Sequence, residues 1–580
     1  MVDDAQIATA RGPGSRESAA ARPNAAIQYL GDAYDAARPK VMGRHSAGAG
    51  FLKGLVRHAG LETFYAFTSS RAEFDDFVRR IQSFGATGRA AKWVPPGRLS
   101  LLVEAGCLYL AGPGLAESAW ERRFGDQRRY SLCGVTHTVS SARAMDALCN
   151  LLTAPTQSWD AMICTSRSVR AAVERLIEGH AAYLTERVGG TAWLPIQLPV
   201  IPLGVDCASF EPSAVRETRR ESLRQRLGLG AEDVAFLFFG RLTFHAKAHP
   251  VPMFLAAELA QQALTTEPGM AGRRIHLLMV GQAPNEKIER DIRDAGPRYC
   301  PNVPLHILDG ADPELADAAW SAGDVFISLS DNVQESFGLT PIEAMAAGLH
   351  TLVSDWNGYR DTTIDGQTGI RIATETPPAP AGFDFALHHG TGATTVDRYI
   401  GATSQATAVD VRAAADAIRR LAGSLELRRS LGVAGRHQAQ HVYDWRVVIA
   451  QYQELWSELA QRRRIDQPIG ATPASGKAPS PRPDPFDMFC GHATRQLDMN
   501  NAVRLADSQS LMRLENVLVQ SMNTYAGQYF LPVDALRQLV QRIAKTAVSV
   551  TDMTQGLTPP ERRTLMRTIA WLKKYDIVAF

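Results

Sequence analysis

Three features are scarce in this 580-residue chain, and each scarcity excludes a class of protein. The longest uncharged apolar stretches, such as Val234–Gly240, fall far short of the roughly 20 residues that a membrane-spanning helix needs. The seven cysteines include no C-x-x-C pair, which argues against a disulfide framework and a structural zinc site. Excess charge of one sign is also lacking, since 62 Lys and Arg face 60 Asp and Glu. A polycation that binds nucleic acid is therefore not expected.

The beginning of the chain is polar and has no apolar core, so it does not read as a secretory signal. We interpret residues 1–24 as a disordered leader. The odd number of cysteines, without a C-x-x-C pair, favours a reducing compartment. We therefore expect a cytoplasmic protein without a transmembrane segment.

Short apolar runs alternate with amphipathic helical runs from about Ala25 onward. Such alternation predicts α/β architecture, with parallel sheets covered on both faces by helices. Two βαβ halves are predicted, over residues 25–212 and 231–445. A charged segment, residues 213–230, links them.

The rest of the chain interrupts or follows these halves. A Pro- and Gly-rich stretch predicts an insertion at about residues 374–400, and a closing helix is expected over residues 446–464. Residues 465–485 contain six prolines and predict a semi-extended linker. Residues 486–580 have a helical pattern, and we expect this tail to be the part available for a partner.

The strongest candidate for chemistry is the segment Ser328–Gly348, in which a strand ends in a loop that opens into a helix. Glu335 and Glu343 flank the turn. Gly338, Leu339 and Thr340 would present free backbone amides at the positive end of the helix, an arrangement that binds phosphate.

A purely structural interpretation of Glu343 exists beside the functional one. Thr340 and Glu343 have the spacing of a capping box, with Pro341 as the first helical residue. Glu343 is therefore either a cap or a ligand-binding carboxylate. Glu335 precedes the turn and has no such structural explanation.

Two further segments follow predicted strands. Arg241 and Lys247 come after a buried strand, where two cations suit a diphosphate, although loop cations are often only solvated. Gly48 and Gly50 form a weak G-x-G signal at a helix start. His137 lies just past another strand, where a histidine usually has a structural role.

Together, these residues resemble the retaining glycosyltransferases of family 4 over about residues 25–464. E-S-F-G-L-T-P-I-E at residues 335–343 is similar to the family's E-x7-E motif, and G-R-L at residues 240–242 with Lys247 is similar to its phosphate clamp. The resemblance implies the GT-B fold, in which two Rossmann-like domains face a central cleft. Here that fold would carry a C-terminal helical extension.

The resemblance also implies roles in binding a nucleoside-diphosphate sugar. Glu343 would bind the ribose hydroxyls, and the amides of Gly338, Leu339 and Thr340 would hold the phosphates. Gly50 would line the cleft nearby.

The implied reaction is transfer of a hexose to an acceptor hydroxyl with retention of configuration, by front-face attack. Arg241 and Lys247 would neutralise the leaving diphosphate, Glu335 would hold the hexose, and His137 would meet it near the reacting carbon. Fixed cations and helix amides then do the neutralising, so neither a metal nor another cofactor is expected. The spacing from Arg241 to Lys247 is about one residue longer than in the family.

Several alternatives stay open at this point. The acceptor is a carbohydrate, a lipid-linked compound or a protein, and peripheral contact with a membrane is compatible with each. The same scaffold could serve a sugar phosphorylase, an epimerase or a non-catalytic partner-binding protein. The intact set of charged residues favours the transferase.

Overall fold

A computed structural model describes residues 22–35, 43–270, 272–470 and 478–580. The chain divides into two compact units, Met1–Thr472 and Pro473–Phe580. The leader expected over residues 1–24 lies outside the described residues, apart from its last three.

The first domain of the larger unit is built on one sheet. Its strands are β1 (Ala26–Gln28), β2 (Thr63–Phe67), β3 (Ala90–Val94), β4 (Cys107–Leu110), β5 (Ser131–Thr136) and β6 (Ala161–Cys164). Its helices are α1 (Gly43–His58), α2 (Arg71–Ser83), α3 (Leu102–Ala105), α4 (Leu115–Arg122), α5 (Ala142–Cys149) and α6 (Arg167–Val188). All strand pairs are parallel, in the order β3-β2-β1-β4-β5-β6. This is the strand order of a Rossmann fold.

The second domain repeats this plan. Its strands are β7 (Val234–Phe239), β8 (Ile275–Gly281), β9 (Leu305–Asp309), β10 (Val325–Ser328), β11 (His350–Ser354) and β12 (Gly369–Ile372). Its helices up to β12 are α7 (Ala214–Arg226), α8 (Pro250–Thr266), α9 (Glu286–Tyr299), α10 (Pro313–Ala322), α11 (Leu339–Ala347) and α12 (Tyr359–Thr362). The order β12-β11-β10-β7-β8-β9 is again that of a Rossmann fold. The predicted fold class of two Rossmann-like domains is confirmed.

The segment predicted as an interdomain linker, residues 213–230, is mostly the helix α7. Ser213 caps its N-terminus by accepting a hydrogen bond from the Arg216 amide. Arg220 and Arg224 then form ion pairs of 2.9 and 2.8 Å with Asp324. These partly buried pairs attach α7 to the second domain.

The insertion expected near residues 374–400 is present, and a pair of short strands joins its two ends. It leaves through β13 (Thr374–Glu375) and returns through β14 (Ala408–Val409), which pair antiparallel. Between them lie α13 (Phe383–Gly390) and α14 (Val396–Gln405), so the insertion extends past residue 400. The helices α15 (Val411–Gly423) and α16 (Leu425–Gln438) follow it.

The closing helix is α17 (Trp445–Ile465). Its apolar side chains, including Trp445, Tyr452 and Trp456, lie in the same core cluster as Phe51 and Tyr109 of the first domain. The chain therefore returns to the first domain after completing the second. Within the described residues, none of the helices has the length and apolar character that crossing a bilayer requires.

The smaller unit is mainly helical, as predicted, and also contains a small sheet that the sequence pattern did not predict. Its helices are α18 (Pro485–Met488), α19 (Ser510–Leu518), α20 (Ser521–Thr524), α21 (Val533–Lys545), α22 (Val550–Thr554) and α23 (Pro559–Lys574). Its strands are β15 (Ala502–Leu505), β16 (Val548–Ser549) and β17 (Val578–Ala579), in the order β16-β15-β17. These strands are too short to show a period of two. The unit has its own buried core, which includes Val503, Val540 and Ile569.

Candidate active site

The candidate site lies where the strand order of the second sheet reverses. β7 and β10 are adjacent parallel strands at the middle of this sheet. In open α/β sheets, ligands bind outside the carboxyl ends of the strands at such a point. The loop after β7 carries Arg241 and Lys247, and the loop after β10 carries Glu335. The topology therefore brings these three predicted residues to one edge.

Lys247 and Glu335 form an ion pair in this site. Lys247 Nζ donates a hydrogen bond of 2.6 Å to Glu335 Oε2, and each side chain is 11% exposed. Burial lowers the pKa of Lys247, but the Glu335 carboxylate and the Tyr359 hydroxyl together outweigh this effect and raise the pKa above its ordinary value. Lys247 is therefore a cation at neutral pH, held in place by a carboxylate.

Tyr359 is a member of the site that the sequence did not predict. Its hydroxyl and Ser328 Oγ share a hydrogen bond of 2.9 Å. Burial, followed by the negative charge of Glu335, raises the pKa of Tyr359 to about 12. The phenol is therefore neutral and lies in the same charged cluster as Lys247.

Arg241 supplies the second cation. It is partly buried, and its Nη2 donates a hydrogen bond of 3.2 Å to the Ala246 carbonyl. In the described part of the chain it forms no ion pair with a carboxylate. The start of its loop is held tightly, because a Cβ on Gly281 would lie 1.8 Å from the Gly240 carbonyl oxygen. Arg241 thus presents uncompensated positive charge from a fixed backbone.

The helix α11 begins in the predicted turn, with Gly338 as its N-cap. Gly338 has a φ of +88°, and a Cβ there would lie 2.3 Å from Tyr359 Cε1, so the position requires glycine. Gly338 has no side chain to cap the helix, and among the described residues no other side chain does so. The first amides, including those of Leu339 and Thr340, are therefore available to an anion.

The capping-box interpretation of Glu343 is wrong. The helix begins at Leu339, which makes Thr340 its second residue and Glu343 its fifth. Neither position satisfies the first amides. Moreover, Thr340 Oγ1 is buried without a hydrogen-bond partner among the described residues.

Glu343 is instead a partly buried carboxyl group within the site. Burial raises its pKa to about 7, although the charge of Lys247 acts in the opposite direction. To the residues that the structure describes, it makes neither a hydrogen bond nor an ion pair. With no partner among the described residues, the oxygens of this partly buried side chain are open to a ligand.

The first domain meets the second at the residue after Glu335. Ser336 Oγ donates a hydrogen bond of 3.0 Å to the His137 carbonyl, and Ser166 Oγ donates one of 2.8 Å to the Ser336 carbonyl. Nearby, Arg167 Nε donates a hydrogen bond of 2.7 Å to Asp361 Oδ1. The structure thus brings the predicted His137 next to the E-x7-E loop. Single serine and arginine residues carried no sequence signal for these contacts.

Gly50 has a different neighbour from the one expected. A Cβ on Gly50 would lie 3.0 Å from Trp445 Cζ2, and Gly54 contacts the same indole. The close packing of α1 against α17 accounts for this glycine without a ligand. Its role near the phosphates stays a prediction.

Comparisons with known proteins agree with the motifs. Residues 219–381 match the family model described as Glycosyl transferases group 1. The glycosyl transferases group 1 match covers most of the second Rossmann-like domain, and there the resemblance expected from the sequence is confirmed. One relative, the D-inositol 3-phosphate glycosyltransferase of Geodermatophilus obscurus, is 27% identical over 218 residues, which are 37% of this chain and 46% of the relative. The chain spans about half the length of the curated relatives it matches.

Solved structures are also similar to this chain. A glycosyltransferase from Rickettsia africae has a TM-score of 0.48 at 14% identity, and the match covers 75% of this chain and 98% of that one. Anabaena HepE, solved in complex with UDP, has a TM-score of 0.45 at 15% identity, covering 74% of this chain and 98% of that one.

Proposed function

We propose that this protein transfers a hexose from a nucleoside-diphosphate sugar to an acceptor hydroxyl, with retention of configuration. The observation that carries the proposal is the cluster at the β7 and β10 ends. There, two cations, two acidic side chains and an uncapped helix N-terminus share one edge of the sheet. A diphosphate between two sugars has the charge distribution that this cluster complements.

Different residues would hold the diphosphate, the ribose and the hexose of the donor. The diphosphate would accept hydrogen bonds from the Leu339 and Thr340 amides and pair with Arg241. Glu343 would accept hydrogen bonds from the ribose hydroxyls, because its carboxylate has no partner among the described residues. Glu335, fixed by Lys247, would accept hydrogen bonds from the transferred hexose.

The reaction would proceed on the face of the sugar that the diphosphate leaves. The bond between the anomeric carbon and the phosphate oxygen breaks, and a bond from that carbon to the acceptor oxygen forms. The acceptor proton passes to the departing phosphate oxygen, and the nucleoside diphosphate is released. Arg241 and Lys247 stabilise the developing negative charge in place, so we propose that catalysis needs no divalent cation.

The proposal is tested with a panel of nucleoside-diphosphate sugars, each incubated with and without acceptors. The panel of acceptors includes D-inositol 3-phosphate, because relatives carry that compound in their names. We expect one donor to raise the melting temperature and to be hydrolysed slowly without acceptor. NMR of the product then reports whether the anomeric configuration is retained.

Other outcomes of these assays would support one of the alternative functions. Donor binding without turnover would favour a non-catalytic scaffold, release of a sugar 1-phosphate from an oligosaccharide would favour a phosphorylase, and conversion of the donor to another nucleotide sugar would favour an epimerase. Binding of no nucleotide sugar would refute the proposal.

A further inference from the structure

The insertion between β13 and β14 lines a cavity, open to solvent, beside the candidate active site. The cavity has a volume of about 960 Å³. Its walls come from two sources, the loop after β7 and the inserted helices α13 and α14. The lining residues are Phe244, His245, Asp384, Phe385, His388, Ala393, Thr394, Thr395, Asp397, Arg398, Tyr399, Gly401, Ala402 and Gln405. The family match ends at residue 381, so the inserted helices lie outside it.

The inserted helix α14 is firmly attached to the loops of the donor site. Ser404 Oγ donates a hydrogen bond of 2.7 Å to Asp331 Oδ1, four residues before Glu335. A Cβ on Gly401 would lie 3.0 Å from His245 Cβ, so the helix backbone packs directly on the loop after β7. The α14 side of the cavity is thus a fixed wall.

The cavity and the donor site share one loop. Phe244 and His245 line the cavity, while Lys247, two residues further, pairs with Glu335. The loop is tied to its neighbour by Asn332 Nδ2, which donates a hydrogen bond of 2.8 Å to the His245 carbonyl. A ligand in the cavity is therefore next to the loop that would hold the leaving phosphate.

The chemistry of the walls selects a neutral, hydroxyl-rich ligand. Three aromatic rings, of Phe244, Phe385 and Tyr399, offer faces for the C–H surfaces of sugar rings. Asp384 and Asp397 supply carboxylate acceptors of the kind that bind hydroxyl groups. The lining residues contain one arginine and no lysine, so the cavity lacks the set of cations that a phosphorylated ligand needs.

One of these rings, that of Tyr399, is also held in place. The Tyr399 ring stacks on His389 with a centroid distance of 4.4 Å and an interplanar angle of 9°. This contact joins α13 to α14 and fixes the ring without filling the cavity. Sites for small ligands are typically preformed and about 300–1,000 Å³ in volume, so the cavity has room for a di- or trisaccharide.

We infer that this cavity is a binding site for a neutral saccharide, and that it holds the non-reacting part of a carbohydrate acceptor. The acceptor role rests on the proposed function, whereas saccharide binding does not. Among the acceptor classes, the inference selects a carbohydrate chain over a protein.

Direct binding of saccharides tests the inference without turnover. The full chain is titrated with maltotriose, cellotriose and chitotriose, and with glucose 6-phosphate as a charged comparison, by saturation-transfer NMR and calorimetry. We expect at least one trisaccharide to bind and glucose 6-phosphate to bind more weakly. Failure of all three trisaccharides, or preference for the sugar phosphate, would overturn the inference.

Matched variants locate the binding. Phe385→Ala and Asp397→Asn should each weaken binding of that trisaccharide by about tenfold, the effect of losing one good contact. Leu387→Ala is the control, since Leu387 lies on the same helix as Phe385, is 48% exposed and does not line the cavity. Affinity for a nucleoside diphosphate and melting temperature should stay unchanged in all three. Equal trisaccharide affinity of Phe385→Ala, Asp397→Asn and the control would place the site elsewhere.

The acceptor role is tested separately. If the saccharide is an acceptor, Phe385→Ala and Asp397→Asn should raise its KM by a similar factor and leave hydrolysis of the donor alone unchanged. If no donor is hydrolysed, yet the variants lose the trisaccharide, the proposed transferase function fails while the saccharide site stands. An unchanged KM alongside lost binding would refute the acceptor role.

Discussion

Replacing Glu343 by glutamine should make the protein more stable and poorer at binding its donor. The pKa of Glu343 is raised by burial from an ordinary value of 4.5 to about 7. The folded state therefore holds this proton more tightly than the unfolded chain does. The stability that this contributes is complete below about pH 4.5 and is lost as the pH rises to about 7.

The size of the effect follows from the difference in pKa. A rise from 4.5 to about 7 corresponds to about 3 kcal/mol of stability lost by pH 8. Glutamine cannot ionise and avoids that loss, although its amide must still be buried. We therefore expect Glu343→Gln to gain about 1–3 kcal/mol over the natural protein at pH 8 and little at pH 5.

Denaturant unfolding at pH 5 and pH 8 measures this difference. Glu314→Gln is the control, because Glu314 is an exposed acidic residue in the first turn of α10. At pH 8, calorimetry with a nucleoside diphosphate should show about tenfold weaker binding to Glu343→Gln, since a charged hydrogen bond is lost. A stability gain that is equal at both pH values would refute the burial argument. Unchanged nucleotide affinity would refute the role in binding ribose.

Four further predictions concern the clamp, the turn, metal independence and the division into units. Arg241→Ala should lower turnover about a hundredfold or more at an unchanged melting temperature, and wild-type turnover would contradict its place at the leaving group. Gly338→Ala should lower both the melting temperature and nucleotide affinity, because its Cβ would lie 2.3 Å from the Tyr359 ring; a silent variant would contradict the tight turn. Turnover should persist in EDTA, and loss that Mn²⁺ restores would argue against neutralisation by side chains and amides alone. A chain ending at Thr472 should fold and unfold cooperatively on heating. A chain ending at Arg464 should melt at a lower temperature, because it loses the hydrogen bond of 2.7 Å from Ser158 Oγ to Asp466. Equal melting temperatures of the two chains would show that residues 465–472 are dispensable.

The central strands of both sheets could be predicted from sequence, and two edge strands could not. β7 is a continuous apolar run and β8 is apolar apart from His276, because both faces of a central parallel strand are buried. β3 and β12 lie at sheet edges and are only partly buried. An edge strand with few apolar residues has no run or strict alternation for a sequence pattern to detect.

In the candidate site, residues within sequence motifs could be predicted, whereas residues brought in by the fold from elsewhere in the chain could not. Motif spacing predicted Glu335, Arg241 and Lys247, because loops after neighbouring strands converge at one sheet edge. Tyr359 was missed, since its place beside Gly338 depends on how the chain returns after β11. The capping box was a misleading local signal. Backbone at positive φ before Leu339 moved the helix start, and sequence spacing alone does not reveal that shift.

The return of α17 to the first domain has a consequence for how the chain is made. The first domain's core includes Trp445, Tyr452 and Trp456, which leave the ribosome only after the whole second domain has been synthesised. Until then, the face of α1 that contains Gly50 and Gly54 lacks the Trp445 indole that packs on it in the finished protein. During synthesis, the first domain therefore exposes an apolar surface until α17 has been made. Expressed alone, residues 25–212 should aggregate unless a peptide spanning residues 445–465 is supplied in trans.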